Sequence, residues 1–153
     1  MKKTFNEIMQ NELCKKPGRF NAVKGKEFSN EIINSYDIGG FLLYDLTFSN
    51  CNFIETNFFK SELTHCRFQN CKIVKSNLSQ MEATEINFIE CEFEEVLLAG
   101  ADFMTCKFVK PKFYGLETLD FLDLQNAEIC DSKKCIQVKF NDNIADILNK
   151  LED

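Results

Sequence analysis

Residues 46–113 read, in fives, LTFSN CNFIE TNFFK SELTH CRFQN CKIVK SNLSQ MEATE INFIE CEFEE VLLAG ADFMT CKFVK PKF. The third residue of each five is apolar and, except at Ala83, large: Phe48, Phe53, Phe58, Leu63, Phe68, Ile73, Leu78, Phe88, Phe93, Leu98, Phe103, Phe108 and Phe113. The first residue is mostly small, as at Cys51, Thr56, Ser61, Cys66, Cys71, Ser76, Cys91, Val96, Ala101 and Cys106, with Leu46, Met81, Ile86 and Pro111 as exceptions. A period of five fits neither the strand period of two nor the helix period of 3.6, so no single regular element carries it. A short extended piece followed by a tight turn does. The first and third residues then point inward, and the other three face solvent. Four such units close a square coil of twenty residues, and coils stacked at about 4.8 Å share backbone hydrogen bonds.

A twenty-residue coil makes vertical stacks. Phe48, Phe68, Phe88 and Phe108 form one aromatic ladder, with Phe53, Ile73, Phe93 and Phe113 on the next face. With Phe58 and Phe103 these rings are the expected core, each worth roughly 1.5 to 3 kcal/mol on burial.

The triplets Cys51-Asn52-Phe53, Thr56-Asn57-Phe58, Ser76-Asn77-Leu78 and Ala101-Asp102-Phe103 resemble the pentapeptide-repeat proteins, whose consensus is Ala-Asp/Asn-Leu-x-x. The resemblance implies an all-β fold, a right-handed quadrilateral parallel β-helix. The length of the repeat allows a solenoid of about four to five coils. This chain departs from the consensus by charged residues such as Arg67, Lys72 and Lys107 where Asp or Asn is usual, and by the weight of Phe and Cys in the buried columns. Some members of the family, including those linked to quinolone resistance, look like duplex DNA and bind DNA gyrase and topoisomerase IV.

Outside the regular stretch the reading is coarser. Over residues 4–16, Thr4 and Glu7 form a capping box, Phe5, Ile8, Met9 and Leu13 recur at helical spacing, and Pro17-Gly18 ends the helix. Its apolar stripe is expected to dock on the open end or an apolar side of the stack. Between Arg19 and Asp45, Val23, Phe28, Ile33, Ile38 and Leu43 keep the five-residue phase, but Asn21, Lys26, Glu31, Tyr36 and Phe41 are polar or large for the small column. A degenerate coil or irregular cap is expected there, with Gly39-Gly40 marking a turn. After Phe113 the phase slips by one: Leu119, Leu124 and Ile129 continue as centres, with Leu122 and Ala127 in the small column and Glu117 fitting it badly. Gly115 is expected to take up the extra residue as a bulge or loop. Ile136, Val138 and Phe140 alternate like a final strand, and Asn143 caps a helix with Ile144, Ile147, Leu148 and Leu151 on one face. The expected organisation is one domain over 1–153: an N-terminal helix and degenerate coil over 1–45, the β-helix over 46–129, and a strand and capping helix over 136–153.

Composition bounds the role. With 18 basic and 24 acidic residues the net charge is −6, which argues against direct binding of nucleic acid through its phosphates. Met1–Gln10 has no apolar run of signal-peptide type, and no stretch approaches the length of a membrane span. A cytoplasmic protein with reduced thiols and no membrane association is expected. No cofactor or metal is expected: there is no Cys-x-x-Cys pair, and His65 is the only histidine. Cys51, Cys71 and Cys91 stack as small buried hydrophobes, whereas Cys130 and Cys135 lie outside the stack and are candidates for reactivity.

Catalysis has no support in the outward positions. His65 has Glu62, Glu82 and Glu85 around it but no outward nucleophile, so it reads as a solvated histidine. Glu62, Glu82 and Asp102, joined by Glu85, line one face at coil spacing, although the family pattern already prefers an acid or amide at that position. Ile54, Val74 and Tyr114 on one face, and Phe59, Leu97 and Ala99 on the next, are outward apolar residues. They are either covered by the N-terminal segment or form a partner or homodimer surface. The expected function is a non-enzymatic interaction or structural module with a protein partner. The alternative is DNA mimicry toward DNA gyrase or topoisomerase IV. Residues 46–129 carry a net charge of −6, about half the density of duplex DNA over a rod of roughly 20 Å.

Overall fold

Every fifth residue from Gly25 to Gly115 has a positive φ, between 49° and 74°, and these corners bend a succession of three-residue strands into a square. The computed structural model describes residues 2–13, 21–115, 124, 126–139, 142 and 144–152. Fifteen of the corners are occupied by residues other than glycine, although the left-handed region costs an L-residue about 1–2 kcal/mol. Asn30, Asp45, Asn50 and Asn70 suit it best. At Glu55, Lys75 or Glu95 the cost is offset by the burial and hydrogen bonding of the coil on either side of the corner.

Three sides of the square are parallel sheets. The first stacks Ala22–Lys24, Leu42–Tyr44, Glu62–Thr64, Glu82–Thr84 and Asp102–Met104. The second runs from Glu27–Ser29 through Thr47–Ser49, Arg67–Gln69, Asn87–Ile89 and Lys107–Val109 to Glu128–Cys130, and the third from Ile32–Asn34 to Lys112–Tyr114. The fourth side is a column of single bridges, Asp37 to Asn57 to Asn77 to Leu97. Partners lie twenty residues apart, as in Phe48↔Phe68 and Phe53↔Ile73. The fold is thus the expected four-sided parallel β-solenoid, about five turns long, with a short helix at each end.

The interior repeats the sequence pattern. Phe28, Phe48, Phe68, Phe88 and Phe108 stack with centroids 4.8–5.3 Å apart. In the small column, thiols and hydroxyls reach the coil before: Cys51 Sγ donates to the Phe28 carbonyl, Cys71 to Phe48, Cys91 to Phe68, Cys66 to Leu43 and Cys106 to Ala83. Thr56 does the same to Ile33 at 3.1 Å. Cys and Thr are therefore hydrogen-bonded inside a column that needs small side chains, which satisfies polar groups that burial would otherwise penalise.

The ends differ from expectation in three places. The stretch before Leu46 is regular in its backbone from Ala22 onward, with Val23, Phe28, Ile33 and Ile38 buried as centres. Its polar small column is tolerated because it lies at the end of the stack, where the helix Phe5–Leu13 covers it. Glu31 accepts the Phe5 backbone N–H at 2.8–2.9 Å. The Phe5 ring stands edge-on against Phe28 and Phe48, 5.2 and 5.3 Å away, so the helix docks on the open end rather than on a side. Thr4 and Glu7 do form the capping box, at 2.8 and 3.1 Å.

The phase slip is real, since Phe108 pairs with Ile129, one residue beyond the regular interval. Gly115 does not absorb it: at φ 67° it is an ordinary corner, matching Glu95 at 51° one coil earlier. Leu119, Leu122 and Glu117 lie outside the described residues. The final strand, Cys135–Gln137, runs antiparallel to Glu128–Cys130, so the chain turns back in a hairpin instead of adding a coil. The helix Ile144–Glu152 then buries Ile147 and Leu151 and half-buries Leu148. The Asn143 cap, the Ile144, Leu13 and Phe140 side chains, and Pro17-Gly18 also lie outside the described residues.

Candidate functional site

Three successive coils of the first side carry a carboxylate at the same outward position. The last three centres on this side, Leu63, Ala83 and Phe103, are buried, and strand alternation turns the residue before each to solvent. Glu62, Glu82 and Asp102 therefore stand directly opposite one another in the parallel ladder, all exposed. None of the three has an ion-pair partner among the described residues. They line a shallow cavity of about 500 Å³ with Lys60, Gln80 and Gly100. The Lys60 ammonium sits 5.2 Å from the centre of the Phe59 ring. Like charges opposed across a ladder destabilise a sheet by a few tenths to about 1 kcal/mol.

Elsewhere the in-register charges compensate. On the third side Glu92 lies between Lys72 and Lys112, 3.8 Å from each ammonium. On the second, Lys107 meets Glu128 at 3.5 Å. Glu85 leaves the free carboxylate row, because its Oε2 is 2.8 Å from His65 Nδ1 with both side chains about half exposed. His65 is thus a surface partner of Glu85.

The apolar candidates do not form one patch. Ile54 and Val74 adjoin and are half-buried, but Glu94 separates Val74 from Tyr114, which is 49% exposed. On the fourth side Phe59 is half-buried, and Leu97, 57% exposed, belongs to the bridge column headed by Asp37, Asn57 and Asn77. In that column Asp37, Asn57 and Asn77 each accept the N–H two residues ahead. Leu97 has no side-chain acceptor to continue the pattern. Ile32 and Met104 are also largely exposed; both precede or follow a centre, and nothing in the five-residue phase distinguishes them from their polar neighbours.

The thiols divide into two groups. Burial pushes Cys66 and Cys106 up to about 11. In the stacked column Cys51 is raised by the Cys71 thiol and by burial. Cys71 is drawn down by the Cys51 thiol, but the Cys91 thiol and burial outweigh this and push it up to about 12. Cys91 is held lower by the hydrogen bond from Cys71. This column is structural. Cys130 and Cys135, expected as reduced thiols with their reactivity left open, are instead joined in a disulfide, because the antiparallel hairpin sets them directly opposite each other. Sequence spacing alone does not show that reversal of direction. Their sulfurs and the Glu128 carboxylate lie within 4.8 Å of one another, but sulfurs bonded to each other are not available as thiolate ligands.

Residues 43–80 match the family model for pentapeptide repeats in eight copies, and the buried pattern of first and third residues continues beyond them to Phe108. Over residues 43–80, then, the chain carries pentapeptide repeats. Among solved structures it is similar to HetL, a pentapeptide-repeat protein involved in heterocyst differentiation regulation from the cyanobacterium Nostoc sp. strain PCC 7120. That likeness has 14% identity, covers 72% of this chain and 53% of HetL, and has a TM-score of 0.32. QnrB1, a plasmid-mediated fluoroquinolone resistance protein, is similar at 12% identity over 72% of this chain and 92% of its own, with a TM-score of 0.30. The chain spans about half the length of HetL. No curated protein matches it.

Proposed function

We propose that this protein is a non-enzymatic interaction module whose first side presents Glu62, Glu82 and Asp102 to a basic segment of a protein partner. The observation that carries this reading is the contrast between sides: charges in register are neutralised on the second and third sides and left unpaired among the described residues on the first. A row of like charges that weakens its own sheet is understandable when a cationic partner completes it. The rod positions the carboxylates without ordering cost, so binding energy is not spent on arranging them. No helix among the described residues is long and apolar enough to cross a membrane. The test is capture from native lysate by the unaltered chain and by the Glu62→Lys/Glu82→Lys/Asp102→Lys variant. A partner retained by the first and lost by the second supports the reading. Equal capture by both sinks it.

The carboxylate row also favours, more weakly, a DNA-mimicking protein that binds DNA gyrase or topoisomerase IV. Alternating Lys72, Glu92 and Lys112 on the third side work against it, since duplex DNA is uniformly anionic. Each end of the stack carries a helix with buried apolar residues, Phe5 and Met9 at one and Ile147 and Leu151 at the other, which works against lengthening the rod by end-to-end pairing of two copies. Absence of any effect on gyrase supercoiling at micromolar protein would discard this reading.

A further inference from the structure

The C-terminal end of the stack carries chemistry opposite to the first side. A cavity of about 540 Å³ opens between the corner Lys110–Lys112, the hairpin loop of residues 131–134 and the C-terminal helix. Its floor is apolar, with Pro111 and Leu151 buried and Leu148 half-buried. Around the floor stand four lysines, Lys110, Lys112, Lys133 and Lys134. Lys112 shares Glu92 with Lys72, and the other three have no ion-pair partner among the described residues. In a protein of net charge −6, four lysines bordering one cavity, three of them without an ion-pair partner among the described residues, make it a place that favours an anion.

The loop that carries two of them is held in place. The Cys130–Cys135 disulfide closes it, and Asp131 N–H donates to the Lys134 carbonyl at 3.0 Å. The one carboxylate in the lining, that of Asp131, is turned into the loop, where its Oδ1 accepts the Lys133 and Lys134 backbone N–H groups at 2.6 and 2.8 Å. Those bonds hold its carboxyl below the usual carboxylate range, so it stays ionised, and the lysines around the cavity outnumber its single charge. The backbone that carries Lys133 and Lys134 is thereby set at the edge of the cavity before any ligand arrives.

We propose that this cavity binds a phosphomonoester dianion carrying a compact apolar group. Lysine ammoniums act as point charges toward phosphate, several of them suit a dianion, and the Pro111, Leu148 and Leu151 floor takes the apolar part. The volume is in the range of small-ligand sites.

The test is isothermal titration of the full chain, disulfide intact, with phenyl phosphate at pH 8, where a phosphomonoester is doubly charged. Binding at one site per chain is expected, at least about tenfold tighter than inorganic phosphate or benzoate. The Lys133→Ala/Lys134→Ala variant, which removes exposed side chains, is expected to weaken it about tenfold, whereas Lys75→Ala is expected to leave it unchanged. No saturable heat with phenyl phosphate into the millimolar range would overturn the site, as would unaltered affinity in the double variant. Equal affinity for inorganic phosphate would overturn the apolar component. Tighter binding of a poly-glutamate peptide would overturn the small-ligand assignment in favour of an acidic polypeptide.

Discussion

The rings of Phe88 and Phe108, one coil apart in the interior, lie 4.8 Å apart with their planes 13° from parallel. Phe88 is also stacked on Phe68 at 5.0 Å on its other side, and Phe93 meets it edge-on at 5.3 Å. A ring so enclosed cannot be removed without leaving a cavity, because its neighbours are fixed by hydrogen-bonded coils above and below.

Phe88→Ala is therefore expected to lower the stability by about 3 to 5 kcal/mol. Urea denaturation followed by circular dichroism measures it. A loss under about 1 kcal/mol would mean that the ring is not a member of a packed ladder.

The buried thiols give a pH dependence. The folded-state pKa of Cys66 and Cys106, about 11, lies above their ordinary value of 9.0, and the ionised form is the one burial disfavours. Their contribution is fully present below pH 9.0 and is lost as pH rises through about 11. The urea midpoint should fall across that window, and fall less in the Cys66→Ala/Cys106→Ala variant. The same burial should protect all five unpaired core thiols from iodoacetamide until the chain unfolds, as mass spectrometry of a Cys14→Ser protein would show.

The corners give a third expectation. Lys75 has φ 49°, a region glycine enters freely and β-branched residues avoid. Lys75→Gly should stabilise the protein by roughly 0.5 to 1 kcal/mol and Lys75→Val should destabilise it, both read from thermal denaturation.

At the C-terminal end, the final helix buries its own Ile147 and Leu151 in the core. Removing residues 142–153 exposes the last strands, and unprotected strand edges pair between molecules. Light scattering should show aggregates for the truncated chain, whereas a monomer of unchanged stability would show that the helix is not a cap.

Much of the fold is legible in the sequence because one steric rule is repeated. Interior positions mostly set a large residue beside a small one, so Phe53 with Cys51 or Phe103 with Ala101 report their own placement. The corners are not legible, since Lys, Glu, Gln and His occupy places where glycine or asparagine would be the signal. The regularity of residues 22–41 is hidden because the first coil has solvent and a helix on one side, and so tolerates Lys26 and Glu31 in the small column. The turn-back at Cys135 and the lysine cavity beside it come from contacts between segments that the five-residue phase does not relate. The carboxylate row was readable from spacing, but the pairing of Glu85 with His65 depends on side-chain reach.

Glu62, Glu82 and Asp102 are held in register at a cost to the sheet, and that cost is the premise on which the partner surface rests. The most direct measurement is the urea-denaturation free energy of Glu82→Gln against the unaltered chain at low and high salt. Glu82 lies between the other two carboxylates, so the substitution should stabilise the protein by a few tenths to about 1 kcal/mol at low salt, and less at high salt. A loss of stability at low salt would contradict the premise.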